Sequence, residues 1–208
     1  MIAYIISILI AYFLGSIAFS VIFGKKFAGF DVRDKGSGNA GSTNVLRTVG
    51  KKAAALTLIC DILKGVIAIL IAILIAKIFK IEDYRVLMYL AGLFAILGHT
   101  FPIFFEFRGG KGVATSLGVL LTLNWKIGLI CLIFALIIIA FTRIVSIGSI
   151  LAAVLYPILA IFMGGTNIIC LLISILIALL VIFNHRENLK RIREGKENKL
   201  SFKNKIQE

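Results

Sequence analysis

The chain alternates long apolar runs with short polar stretches, and the length of each run decides what it can be. Ile2 to Phe23 and Ala53 to Ala76 are each long enough to cross about 30 Å of hydrocarbon at about 1.5 Å per residue, which predicts two membrane-spanning helices. Tyr84 to Phe105 predicts a third, broken at Gly98-His99-Thr100-Phe101-Pro102 because Pro102 has no N–H and leaves a carbonyl unpaired. Val113 to Leu123 is too short to cross alone and is expected to be a short or tilted helix, with Trp125 suited to the interface just beyond it. Ile127 to Phe141, Ile150 to Met163 and Ile168 to Phe183 follow, separated by Thr142 to Ser149 and by Gly164-Gly165-Thr166-Asn167. The expected fold is all-α and polytopic, with about seven transmembrane helices, some short or broken, and six as the lower count. A single domain is expected over 1–208, ending in a basic tail over 184–208. The first run lacks the basic leader and small-residue cleavage site of a signal peptide, so it is expected to stay in the mature chain.

Composition agrees with a bilayer as solvent, since 60% of residues are hydrophobic, only 16% are charged, and the mean hydropathy is +1.05. A net charge of +13 would suit a nucleic-acid partner in a soluble chain; here it is expected to orient the protein instead. With seven spans, the stretches 24–52, 106–112, 142–149 and the tail from Asn184 hold eighteen Lys or Arg, against four on the opposite side. Positive residues stay inside, so the N-terminus is expected outside, the C-terminus in the cytoplasm, and every polar motif on the cytoplasmic face. Cys60, Cys131 and Cys170 are scattered in apolar runs without metal-ligand spacing, and no metal or cofactor is expected.

Gly36-Ser37-Gly38-Asn39-Ala40-Gly41-Ser42-Thr43-Asn44 is the stretch that cannot build a core. Its glycines allow backbone N–H groups to turn inward together, and its hydroxyl and amide side chains add donors, which is chemistry for an oxyanion such as phosphate. Arg33, Lys35, Arg47, Lys51 and Lys52 flank it. The plain alternative is a flexible turn. A second such segment is Phe107-Arg108-Gly109-Gly110-Lys111-Gly112-Val113-Ala114-Thr115, where an ammonium and free N–H groups precede a helix start. It is not a nucleotide P-loop, because Gly112 stands where Ser or Thr would bind the metal, and Gly36-x-Gly38-x-x-Gly41 lacks the strand context of a dinucleotide fingerprint.

Further polar groups fall near these segments or inside the runs. Asp61 and Lys64 share one face of the second span and must meet protein or each other, either as an anchoring ion pair or as a substrate contact. His99 stands at the break of the third span. Arg143, Ser146 and Ser149 add a cation and two hydroxyls, of which helix capping accounts for at least one. In the tail, His185, Asn188 and Arg191 recur every three residues and share a face if the last span continues as helix. The alternative is a basic amphipathic tail on anionic lipid, expected from Lys196 onward.

These residues resemble the bacterial membrane-embedded acyl-phosphate:glycerol-3-phosphate acyltransferases over nearly the whole chain. The resemblance rests on Ser37-Gly38-Asn39-x-Gly41-x-Thr43-Asn44, on Gly98-His99-x-Phe101-Pro102 with Phe107-x-Gly109-Gly110-Lys111-Gly112-Val113-Ala114-Thr115, and on His185-x-x-Asn188-x-x-Arg191, in the family's order. It implies transfer of a fatty acyl group from acyl phosphate to glycerol 3-phosphate, giving lysophosphatidic acid and phosphate, in the bacterial inner (cytoplasmic) membrane with the site facing the cytoplasm. It implies catalytic roles for Ser37, Asn39, His185 and Asn188. Substrate contacts are implied for Gly38, Gly41, Thr43, Asn44, Arg47, Gly109, Gly110, Lys111 and Gly112, with Ser146 and Ser149 as further candidates. Membrane lipids and a soluble enzyme that produces acyl phosphate are the implied partners, and nucleic acid is not.

Neither histidine begins the His-x-x-x-x-Asp pair of the acyltransferases that use acyl-CoA or acyl carrier protein, because Phe104 and Lys190 stand at the fifth positions. A small transporter or channel for an organic phosphate would also use cationic glycine loops, broken helices and an intramembrane Asp and Lys. The expected clustering of the motifs at one face, away from the bilayer midplane, counts against it. A non-catalytic scaffold would not need so many phosphate-type donors.

Overall fold

In hydrocarbon every backbone polar group needs an internal partner, and this chain meets that demand with helices. The structure is a computed structural model that describes residues 1–163 and 167–200. Among the described residues there are ten α-helices and no strand: α1 (Ile2–Gly15), α2 (Phe19–Ala28), α3 (Ser42–Thr48), α4 (Lys51–Ile78), α5 (Arg85–Thr100), α6 (Val113–Leu123), α7 (Trp125–Thr142), α8 (Val145–Met163), α9 (Ile168–Asn184) and α10 (Arg186–Arg193). Among the described residues five segments are long and apolar enough to cross a membrane: Ile2–Ala28, Lys51–Ile78, Arg85–Phe105, Trp125–Thr142 and Val145–Met163. The bent pair α9 and α10 makes a sixth, and α6 is an apolar helix too short to cross alone. The Gly164-Gly165-Thr166 part of the expected link between the last two spans lies outside the described residues, as does the tail beyond residue 200.

Three sequence boundaries move, each for a local reason. The first span runs on to Ala28 and breaks between Gly15 and Phe19, where the Ser16 hydroxyl donates to the Tyr12 carbonyl and Lys64 takes the carbonyl of Ile17. The stretch expected as a loop from 24 to 52 is half helix, holding the end of α2, a 3-10 turn at Val32–Asp34 and all of α3. Thr142 to Ser149 is not a loop either: Arg143 reverses the chain with φ 59° and α8 begins at Val145, so Ser146 and Ser149 lie on a helix.

The described residues divide into two compact units, Met1–Val119 and the part from Leu120 to Leu200. In the first, α1, α4 and α5 pack on one another through a core of small residues, Ala11, Ala68, Ala72, Ala76, Ala91 and Ala95, with Leu87. Helices in lipid gain little from burying apolar surface against each other, so close backbone approach through small side chains supplies the attraction. Gly15 and Gly98 show how close: a Cβ on either would run into the backbone of α5 or α1 respectively. In the second unit α7 packs on α8 and α8 on α9, with the Tyr156 and Ser174 hydroxyls paired at 3.0 Å in its interior. Ser174 Oγ also lies 2.9 Å from the Cys170 carbonyl, so this polar group has protein partners where water cannot reach.

Candidate active site

The first polar segment is shaped by Asn44, which is 2% exposed. Its Oδ1 accepts from the Ser37 N–H at 2.9 Å, and its Nδ2 donates to the carbonyls of Val32 at 2.8 Å and Lys35 at 3.1 Å. The Gly38 N–H is taken by the Lys35 carbonyl. Gly36 and Gly38 have φ of +64° and +69°, and a Cβ on Gly36 would collide with Asn44 Oδ1. Here the glycines serve the turn and the close approach of Asn44. The expectation that the loop's N–H groups converge on an anion is corrected at Ser37 and Gly38, whose N–H groups the loop itself occupies. Asn44 is the buried post around which the loop is wound. What the loop presents outward is the exposed Ser37 side chain, the half-buried Asn39 beside Gly41, and Ser42 and Thr43 in the first turn of α3. Arg47 is exposed in the last turn of α3.

The second segment is corrected in the same way. The Gly109 N–H donates to the Thr100 carbonyl and the Gly110 N–H to the His99 carbonyl, both at 3.1 Å. A Cβ on Gly109 would strike the His99 carbonyl, and one on Gly110 would strike His99 Nε2 and approach the Ala40 carbonyl to 3.0 Å. Gly112 has φ +87°. These glycines let the segment lie flat against the end of α5, from which half-buried Lys111 leads into α6, whose N-terminal end carries positive partial charge.

The two segments meet. Arg33 Nη1 donates to the Phe105 carbonyl at 2.7 Å, while its Nε and Nη2 are held by Asp31, the closest approach being 2.8 Å. The guanidinium beside it holds the Asp31 carboxyl below its ordinary range. Ser20 Oγ donates to the Ala40 carbonyl at 2.9 Å, and that carbonyl faces Gly110. Arg33 reads in the sequence as one more cation beside a phosphate loop; the structure makes it the clamp between the loops. Ser20 carries no sequence signal for such a role, being one small residue in an apolar run.

Below the second segment lie Asp61 and Lys64, 2% and 3% exposed. Lys64 Nζ is 2.8 Å from Asp61 Oδ1 and donates to the Ile17 carbonyl at 2.8 Å. Of the two sequence alternatives, the geometry matches the anchoring ion pair. His99 Nδ1 stands 3.5 Å from the same carboxylate oxygen.

The second unit gathers the remaining candidates. α9 ends at Asn184 and α10 leaves it at 53°, so His185 sits at the bend and the expected continuous helical face is broken there. His185 is buried and its Nδ1 lies 2.7 Å from the Val181 carbonyl; a carbonyl only accepts, so Nδ1 carries a proton and donates it there. Glu197 Oε1 accepts from Asn188 Nδ2 at 2.6 Å and from Ser146 Oγ at 3.0 Å, and its Oε2 accepts from Arg191 Nε at 2.8 Å. Burial alone would raise the Glu197 carboxyl, but those donors outweigh it and hold the group below its ordinary range. Glu197 is the residue the sequence reading missed: one of four glutamates in a basic tail whose end is expected to lie on lipid, it folds back instead. Ser149 donates to Val145 within α8, and exposed Arg143 offers its carbonyl to the Leu200 N–H. Among the described residues no three His, Cys, Asp or Glu side chains gather as metal ligands would.

The family model for glycerol-3-phosphate acyltransferase matches residues 5–195. The chain belongs to that family. The glycerol-3-phosphate acyltransferase of Clostridioides difficile strain 630 is 45% identical over 201 residues, 97% of each chain. That of Shouchella clausii strain KSM-K16 is 46% identical over 202 residues, 96% of this chain and 97% of its own. Among solved structures, PlsY (YgiH), an integral membrane glycerol 3-phosphate acyltransferase, superposes in its glycerol 3-phosphate form with a TM-score of 0.86 at 39% identity, covering 95% of this chain and 96% of its own. Its lysophosphatidic acid form gives 0.83 at 37% identity, covering 96% of both. Family membership makes this chain a membrane-embedded glycerol-3-phosphate acyltransferase, the enzyme class its polar segments suggested.

Proposed function

We propose that the acyl donor is acyl phosphate, so that the reaction moves a fatty acyl group onto a hydroxyl of glycerol 3-phosphate and releases lysophosphatidic acid and inorganic phosphate. The observation that carries this reading is that the Ser37–Asn44 and Gly109–Lys111 segments lie together, joined by Arg33 to the carbonyls of Phe105 and Arg108 and by the Ala40–Gly110 approach. Two phosphate-bearing substrates need two sets of cations and donors close together. Arg47 with Ser37, Asn39 and Thr43 would serve one phosphate, and Lys111, with the positive end of α6, the phosphate of glycerol 3-phosphate. The related PlsY, solved with glycerol 3-phosphate and with lysophosphatidic acid, supports the acceptor and product. The resemblance of His185-x-x-Asn188-x-x-Arg191 to the family's motif implies that His185 and Asn188 serve the same reaction.

Acyl phosphate is a mixed anhydride with a good leaving group. The protein's task is then to place the acceptor hydroxyl and stabilise charge on the carbonyl and departing phosphate. The new ester C–O bond forms as the anhydride C–O bond breaks, and the hydroxyl proton ends on phosphate, reached directly or by way of His185. A phosphate oxygen with a pKa near about 6 suits that transfer near neutral pH, and no metal or cofactor is needed. The basic-residue count supports a cytoplasmic site in the bacterial inner membrane, and with short α6 taken as a seventh crossing it sets the N-terminus outside and the tail inside. A soluble enzyme making acyl phosphate would deliver the donor to that face. The test is purified protein in detergent with palmitoyl phosphate and glycerol 3-phosphate: one phosphate should appear per lysophosphatidic acid formed. Phosphate release without the lipid product, or lipid product only from a thioester donor, would refute the assignment.

A further inference from the structure

The family reaction does not by itself require a buried carboxylate, ammonium and imidazole below the substrate loops, yet Asp61, Lys64 and His99 are each at most 7% exposed. Their connections run in one direction. Lys64 ties the break between α1 and α2, through Ile17, to Asp61 on α4. Asp61 faces His99 Nδ1 on α5. The opposite edge of that ring, Nε2, lies over Gly110 so closely that no Cβ fits there. The His99 and Thr100 carbonyls then receive the Gly110 and Gly109 N–H groups. The ring is walled in by a carboxylate on one side and a glycine backbone on the other, which is the place of a support and not of a proton carrier to substrate.

We propose that Asp61, Lys64 and His99 are positioning residues that fix the seat of Gly109 and Gly110, and through it the direction in which Lys111 leaves towards the phosphate of glycerol 3-phosphate. The pair orients the imidazole, the imidazole fixes the height of Gly110, and the lysine one residue on inherits that placement. A misplacement of about 1 Å in such a group is enough to lower efficiency on the order of a hundredfold. The inference rests on the reading that Lys111 binds glycerol 3-phosphate.

The experiment measures glycerol 3-phosphate binding by calorimetry on the detergent-solubilised protein, without donor, alongside steady-state kinetics. His99→Leu removes no net charge from the ion pair and replaces the flat ring between Asp61 and Gly110 by a branched apolar group that has neither nitrogen. It should weaken glycerol 3-phosphate binding and raise its KM about tenfold, while kcat and the KM for palmitoyl phosphate stay within threefold. Asp61→Asn should do the same, and the double variant should be no worse than His99→Leu alone, because both act through one ring. His99→Asn places an amide nitrogen where Nδ1 stands and should recover part of the loss. Should Asp61→Asn not yield folded protein, the comparison of His99→Leu with His99→Asn still decides. Unchanged binding in His99→Leu overturns the proposal, as does a fall in kcat of a hundredfold or more at unchanged KM, which would put His99 at the reacting atoms. Wild-type protein that binds glycerol 3-phosphate but does not turn over palmitoyl phosphate would refute the donor assignment and leave the positioning result standing. Tight binding to Lys111→Ala would refute the reading on which the inference rests.

Discussion

Replacing Asn44 by Ala is the sharpest test of how the first loop is built. Three hydrogen bonds disappear together: to the Ser37 N–H and to the Val32 and Lys35 carbonyls. A typical intramolecular hydrogen bond contributes about 1 kcal/mol net, and a buried group left without a partner costs about 1–3 kcal/mol. Ser37 and Lys35 are exposed, so water replaces part of their loss, whereas Val32 is fully buried. The loop should therefore lose about 2–3 kcal/mol of local stability, while α1, α4 and α5 keep their own contacts and the protein still folds. If that order is needed to hold Ser37 and Arg47 in place, kcat/KM should fall about thirty- to a hundredfold, at about 1.4 kcal/mol per tenfold. Hydrogen exchange read by mass spectrometry should show faster exchange over residues 35–41 with the spanning helices unchanged. Asn44→Asp keeps the acceptor for Ser37 but sets an anion against two carbonyls, so it should be no better. If Asn44→Ala loses activity while loop exchange stays as slow as in the parent, Asn44 acts on substrate and is not what holds the loop.

Orientation is checked with single cysteines in a cysteine-free background: at Ser42 and Lys199 they should be shielded from an impermeant thiol reagent in intact cells, and at Asp83 labelled; external labelling of Ser42 would invert the topology. Glu197 has its carboxyl lowered in the folded protein, so its stabilising contacts are complete above the ordinary glutamate range and lost as pH falls through the folded value. Thermal stability should therefore drop on the acid side in the parent, and Glu197→Gln should be less stable at neutral pH with a flatter acid limb; identical profiles would show that the carboxylate does not stabilise the fold. For proton transfer, kcat against pH in EDTA should keep its shape in His185→Gln if a substrate phosphate takes the proton. Loss of about a thousandfold together with the acid limb would identify a histidine base, and inactivation by EDTA alone would refute the metal-free mechanism.

Much of the fold was legible in advance because a bilayer permits so little: apolar runs of spanning length have to be helices, and α4, α6, α7 and α9 begin and end within about two residues of the hydrophobic pattern. The same holds for the polar segments, since small, hydroxyl and cationic residues in an apolar chain have few other uses, and their order along the chain pointed to the family. What a one-dimensional pattern does not carry is which partner each polar atom takes. Hydrogen bonds between residues far apart in sequence, Arg33 to Phe105 or Lys64 to Ile17, form only when helices are packed. That packing decided that the loop glycines lie against α5 and Asn44 instead of opening their N–H groups, that Arg33 is a clamp, and that Glu197 returns to α8 and α10. Periodicity fixes which face of a helix is apolar; the carbonyl within hydrogen-bond reach of a buried cation is a property of three dimensions.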